Sequence, residues 1–391
     1  MKIFFSVGEP SGDHHAAELI REIRSRVPQA EFYGYGGHEM EKAGCKILFP
    51  MANYPLMGIV QILPFIWMFW KLAWRARAIF RSEKPDAVVL VDYPGFNWWM
   101  AWYARGAGVK TVYYMPPQLW AWASWRVKRV QRNIDLVLSG LQFETEWYQS
   151  KGVDCQFVGN PFFSEVADKQ LDETFLDQLH SSKKRIVAVL PGSRGSEVKA
   201  NFPHMLRIMK TLASKHRDIE FRVANYKPNQ LELCKQLWVE FDPRLPVQFH
   251  TGKLSEIVQS ATCCLMVSGS VSLEVLARQC PAVVMYRTGL VFYMAARFFM
   301  TCDYASLPNL FVKRPLMPEF AFHDMPDRYE RYISDILNHW LSSDQTLALI
   351  RDEMHEVCQS HNHDNATEKA ATAILNMLGV QERSAPRKLA A

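Results

Sequence analysis

Short apolar runs punctuate this chain, and a polar or glycine-containing loop follows nearly every one. Residues 3–7, 31–35, 87–91, 111–115, 135–138 and 155–158 read as parallel strands, most of them buried on both faces. Helical patterns separate them, over 14–26, from 38 and from 98. The pattern restarts at 185–190 and continues through 219–224, 247–249, 262–267 and 282–286. Strand alternating with helix predicts an α/β chain, and the restart predicts two doubly wound, Rossmann-like domains facing a cleft. The first is placed at 1–165 and the second at 166–344, with the polar stretch 168–184 as the linker. Helices over about 345–380 are candidates to pack back on the first domain, and the tail from 381 reads as disordered.

In this architecture ligands meet the loops at the carboxyl ends of the strands. The first such loop is Gly8-Glu9-Pro10-Ser11-Gly12-Asp13. It lacks the G-x-G-x-x-G spacing, so a dinucleotide is not indicated. Glu9, Ser11 and Asp13 either orient a sugar or simply cap the next helix. Asp92 closes the run 87–91, ahead of Pro94-Gly95. A carboxylate there is a candidate general base on a sugar hydroxyl, with burial raising its pKa; the plainer role is a turn cap.

Two loops of the second half suit an anion. Pro191-Gly192-Ser193-Arg194 follows 185–190, and Ser268-Gly269-Ser270 follows 262–267. Small residues let the backbone approach a diphosphate, a helix start offers N–H groups, and Arg194 offers a guanidinium fork. The P-loop spacing is absent, so ATP hydrolysis is not indicated. Glu274 falls about one turn into the following helix, placed to accept from sugar hydroxyls. The segment through Ser306 and Asn309 approaches the same cleft.

Composition narrows the partners. The net charge of +5 over 391 residues favours an anionic substrate or an acidic membrane surface without demanding nucleic acid. Eight cysteines lie mostly in apolar runs with no C-x-x-C pair, which fits a reducing, cytoplasmic setting. The N-terminal apolar stretch is too short for a signal peptide. Residues 55–70 are apolar almost throughout, but the run contains Gln61 and Pro64 and falls short of the roughly 20 residues of a membrane span. Met57, Ile66, Trp67, Phe69, Trp70 and Trp74, followed by Lys71, Arg75, Arg77 and Arg81, suit a segment lying in a membrane interface or lining an acyl groove. A buried helix pair is the plainer alternative.

Taken together, the motifs resemble one family of GT-B glycosyltransferases, the lipid A disaccharide synthases. The resemblance rests on Gly8–Asp13, Met57-Gly58, Asp92-Tyr93-Pro94-Gly95-Phe96-Asn97 and Gln118-Leu119-Trp120-Ala121-Trp122. It continues through Phe157-Val158-Gly159-Asn160-Pro161, Leu190–Arg194, Ser268-Gly269-Ser270 with Leu273-Glu274, and Ser306-Leu307-Pro308-Asn309. Pro10 and Asn160 depart from the family's usual pattern. The resemblance implies an inverting, metal-independent transfer with no cofactor. UDP-2,3-diacylglucosamine would condense with 2,3-diacylglucosamine 1-phosphate (lipid X) at the cytoplasmic face of the inner membrane, with the enzyme peripheral there. It further implies Asp92 as general base, Glu9, Ser11 and Asp13 as sugar-orienting groups, and Ser193, Arg194, Gly269, Ser270, Glu274 and Asn309 around UDP. A homo-oligomer stays open. The competing readings are another GT-B enzyme using UDP-GlcNAc, or a membrane-surface binder of sugar nucleotides or lipids without catalysis.

Overall fold

The computed structural model describes residues 1–53, 65–290, 293, 294, 298, 300–361 and 365–380. Met57 and the tail from 381 lie outside them. The chain divides into two compact units, one of Met1–Pro161 with His363–Ala391, the other of Phe162–Asn362. The segment expected as a linker contributes to the second unit. Its helix Glu173–Ser181, capped by Asp172 Oδ1 accepting from Phe175 N at 3.0 Å, packs on helix Leu254–Ser260. The helical stretch at 345–380 is shared between the units. Helix Asp344–His361 packs against Val271–Ala277 in the second unit, whereas Ala366–Met377 packs on Pro10–Arg26 in the first.

The first unit holds a parallel sheet of β1 (Lys2–Val7), β2 (Glu31–Tyr35), β3 (Lys46–Phe49), β4 (Ala87–Val91), β5 (Lys110–Tyr114), β6 (Leu136–Ser139) and β7 (Cys155–Phe157). Their spatial order is β3-β2-β1-β4-β5-β6-β7, so the winding reverses between β1 and β4. Both faces are covered, and alternate residues of each strand feed opposite cores. Phe4 meets Tyr33, Tyr35 and Phe80 edge-on at 5.5, 5.3 and 5.0 Å on one face. Ile3, Phe5 and Val7 pack on the other face with Leu19, Ile20 and Ile374.

The second unit repeats the plan with β8 (Arg185–Leu190), β9 (Ile219–Asn225), β10 (Val247–Thr251), β11 (Cys263–Val267), β12 (Ala282–Arg287) and β13 (Glu319–Phe322). The order β10-β9-β8-β11-β12-β13 reverses between β8 and β11. β3 and β13 are absent from the hydrophobic pattern because they are short edge strands, largely half-exposed. Among the described residues no helix is long and apolar enough to cross a membrane.

Candidate active site

Each unit presents its motif loops where its winding reverses, the place at which doubly wound sheets bind ligands. In the first unit, Val7 pairs with Val91, so the loops after β1 and β4 leave the sheet side by side. Gly8 is essential to that approach, since a Cβ there would lie 2.3 Å from the Tyr93 ring. Gly12 is likewise close beneath Asp92, with a Cβ placed 3.5 Å from Oδ2. Asp92 keeps part of its surface open to solvent, yet burial of its carboxyl pushes the pKa up to about 7, opposed by the charge of His15 and reinforced by Glu9. That value suits a general base working near neutrality.

Asp92 and Tyr93 both adopt left-handed backbone, at φ 46° and 45°. Neither is glycine, and such residues cost roughly 1–3 kcal/mol each unless the surroundings fix them. The helix Pro94–Gly106 starts directly after this turn, with proline at its first position.

The first loop is shorter than the sequence suggests. The helix begins at Pro10 rather than near His14, because proline is already shaped for a first helical turn. Glu9 is its half-exposed N-cap residue and Ser11 is exposed within its first turn. Asp13 does not face outward. It is buried, and its carboxylate accepts from the backbone N–H of Gly37 at 2.7 Å, Glu39 at 2.9 Å and Met40 at 3.3 Å. It caps the helix His38–Lys42 from a neighbouring element, so its carboxylate is occupied by protein rather than held out to a sugar.

Glu144 is a buried carboxyl that feels the charge of Asp92, and the sequence reading gave it no role. Its carboxylate accepts from Trp120 Nε1 at 2.9 Å and Ser139 Oγ at 2.6 Å. Burial nevertheless pushes its pKa up to about 7, and the charge of Asp92 adds to the rise. It thereby ties the Gln118–Trp122 motif to the end of β6. Phe143-Glu144 gave no sequence signal, because its partners are remote in the chain.

In the second unit, Met266 pairs with Leu190, which sets the loops after β8 and β11 side by side. Ser193 and Arg194 are exposed. Their backbone N–H groups donate to Glu197 Oε2 at 2.9 and 3.2 Å, and Arg194 Nη1 donates to Glu197 Oε1 at 3.0 Å. Gly192, at φ 113°, leaves the room that this carboxylate fills. Gly269 and Ser270 are exposed ahead of the short helix Val271–Ala277. Glu274 is buried, and its Oε1 accepts from Ser255 Oγ at 2.5 Å and Arg278 Nε at 3.2 Å. Its Oε2 has no partner among the described residues.

Ser268 Oγ donates to Ala305 O at 3.3 Å, which joins this loop to Ser306-Leu307-Pro308-Asn309. Asn309 itself points inward. Fully buried, it donates from Nδ2 to Met317 O at 2.7 Å and accepts at Oδ1 from Met317 N at 2.8 Å. Its amide is spent on bracing the chain, not on a ligand.

The aromatic segment reaches the described region at helix Ile66–Ser82. Ile66, Trp67, Trp70 and Trp74 are exposed, with Trp67 and Trp70 stacked at 4.8 Å and Trp74 5.4 Å from Trp70. Phe69 instead turns inward, 6.2 Å from Tyr93 and 5.8 Å from Phe96, and helps wall the Asp92 turn. Trp99, Trp102, Trp122 and Trp125 extend the exposed set, all seven tryptophans being 44–61% exposed. Arg77 bridges Trp74 and Tyr103, lying 4.9 and 5.6 Å from the two rings.

Two parallel α/β units with ligand-type loops at both reversal points are consistent with the GT-B fold. Solved structures share this architecture. The UDP co-structure of S. aureus MnaA has a TM-score of 0.68 at 11% identity and covers 97% of each chain. The UDP-GlcNAc 2-epimerase from Neisseria meningitidis bound to UDP-GlcNAc has a TM-score of 0.64 at 11% identity, covering 97% of this chain and 100% of that one. At such identity the likeness speaks for the fold alone. Sequence relationship goes further. The lipid-A-disaccharide synthetase family model matches residues 3–375. The lipid-A-disaccharide synthase of Alcanivorax borkumensis is 32% identical over 376 residues, 95% of this chain and 96% of that protein. The lipid-A-disaccharide synthase 1 of Legionella pneumophila (strain Paris) is 31% identical over 342 residues, 85% of this chain and 87% of its own. The chain belongs to the lipid-A-disaccharide synthetase family. It is a glycosyltransferase of lipid A disaccharide formation.

Proposed function

We propose that the chain joins UDP-2,3-diacylglucosamine to 2,3-diacylglucosamine 1-phosphate, with Asp92 as the general base. The acceptor's 6-hydroxyl gives its proton to the Asp92 carboxylate as its oxygen attacks the anomeric carbon. The bond from that carbon to the diphosphate breaks, UDP leaves, and the configuration inverts. Glu9, the N-cap residue beside Asp92, and Ser11, in the first turn of the helix it opens, are the candidates to orient the sugars. Arg194, with the backbone at Gly269 and Ser270, faces the charge that grows on UDP, where fixed donors lower the barrier most, whereas the Ser193 N–H is given to Glu197. Glu274 Oε2 accepts from the ribose. The observation that carries this reading is a carboxyl at the reversal point of the first sheet, set on a left-handed turn, with burial pushing its pKa up to about 7.

The exposed tryptophans, with Lys71, Arg75, Arg77 and Arg126 among them, fit a peripheral position on an anionic bilayer. In a cell that surface is the cytoplasmic face of the inner membrane, where acylated substrates of this kind reside.

The deciding experiment is turnover by purified protein in detergent with both acylated substrates and EDTA. Wild type yields disaccharide and UDP in equal amounts, and Asp92→Asn is slower by about a hundredfold or more in kcat, with KM little changed. Wild type that releases no UDP overturns the substrate assignment. An Asp92→Asn variant at wild-type rate removes Asp92 from the chemistry and passes the base role to Glu9.

A further inference from the structure

The Asp92–Tyr93 turn is held from below by three buried side chains to which no role has been given. The Asp92 carbonyl accepts from Asn97 Nδ2 at 2.8 Å and from Tyr113 Oη at 2.8 Å. Asn97 Nδ2 also lies 3.2 Å from Val91 O and 3.3 Å from Ser6 O. Ser6 Oγ donates to Asn97 Oδ1 at 2.7 Å, which fixes which way the amide faces. Ser6, Asn97 and Tyr113 are completely buried. They come from three elements: β1, the helix after the turn, and β5. Two donors on one carbonyl lock the peptide plane between Asp92 and Tyr93. Without them, ordinary residues leave the left-handed region for the broader extended or right-handed wells. Such a change would swing the carboxyl away from the loop edge.

We propose that Asn97 and Tyr113 are positioning residues, which tie the left-handed turn so that the Asp92 carboxylate stands at the edge of the sheet facing the acceptor. This rests on the reading of Asp92 as the base. Neither side chain reaches the substrate; both act through the backbone of Asp92. Tyr113 is the sharper probe, because Tyr113→Phe removes one hydroxyl and keeps the buried ring.

The test combines kinetics with a double-variant cycle. Tyr113→Phe lowers kcat about tenfold, the worth of one hydrogen bond, and leaves KM within about twofold. Asn97→Ala lowers kcat further and also lowers Tm. In both, the acid limb of the kcat profile moves downward from near 7 as water reaches the loosened carboxyl. The charges felt by that carboxyl, Glu9 and His15, are untouched, and so is Glu144, which senses it. In an Asp92→Asn background, Tyr113→Phe causes no further loss. If Tyr113→Phe has the wild-type kcat and limb while Asp92→Asn is slow, the positioning role falls and the base reading stands. If Tyr113→Phe slows Asp92→Asn by the factor it slows wild type, the hydroxyl acts independently of Asp92 and the proposal is overturned. If Asp92→Asn itself is fast, the base reading fails first. Should Asn97→Ala not fold, Tyr113→Phe carries the decision alone.

Discussion

Glu144 is held by the fold in a form that neutral water would not favour. Its two hydrogen bonds pull toward the charged state, but desolvation wins and the folded pKa stands near 7, against 4.5 for the ordinary side chain. Between those values the folded chain binds a proton that the unfolded chain has lost. The contribution of this group to stability is therefore full below about 4.5 and is lost as pH rises through about 7. Glu144→Gln abolishes that titration. We expect thermal unfolding scans to show wild type losing stability between pH 5 and 8 more steeply than the variant. Parallel slopes would remove the buried carboxyl from the account. Polar residues at strand ends were easy to find in the sequence, but their facing was not legible. Asp92 stands at its strand end next to the ligand edge. Asp13 and Asn309 read as ligand-facing too, yet they turn back onto backbone groups of Gly37 and Met317. Only long-range packing distinguishes the two cases.

At the scale of elements, the central strands were readable because sheets covered on both faces need unbroken apolar runs. Helix starts were less so: proline at Pro10 extends the first helix into what looked like loop. The five-residue helix His38–Lys42 is too short to stand alone and has no cap of its own. Asp13, reaching over from the helix Pro10–Arg26, supplies one. Asp13→Ala would leave three backbone N–H groups without their acceptor, at a cost of about 3 kcal/mol. A urea midpoint lowered accordingly is expected; an unchanged midpoint would mean that water replaces the carboxylate at no loss.

At the scale of the whole molecule, Trp67, Trp70 and Trp74 form one exposed set of touching rings, and contiguous apolar sets are less usual on a surface than isolated residues. Replacing Trp67, Trp70 and Trp74 together by serine should weaken sedimentation with anionic phosphatidylglycerol vesicles by about tenfold or more, and added salt should weaken the wild type. Unchanged vesicle binding together with a smaller hydrodynamic radius for the variant would assign the face to a second copy of the chain instead.

The first unit has one more property, which follows from the route of its chain. Its helix Ala366–Met377 lays Ala370, Ala371, Ile374 and Leu375 over Ala16, Leu19, Ile20 and Ile23, and Thr372 Oγ1 accepts from Arg26 Nη1 at 2.6 Å. A ribosome delivers that helix only after the entire second unit. The unit translated first is therefore completed last. Until then a nascent chain leaves the apolar strip of Pro10–Arg26 uncovered, the kind of surface that chaperones hold and neighbouring nascent chains stick to. For this fold, the speed of translation through the second unit sets how long that exposure lasts.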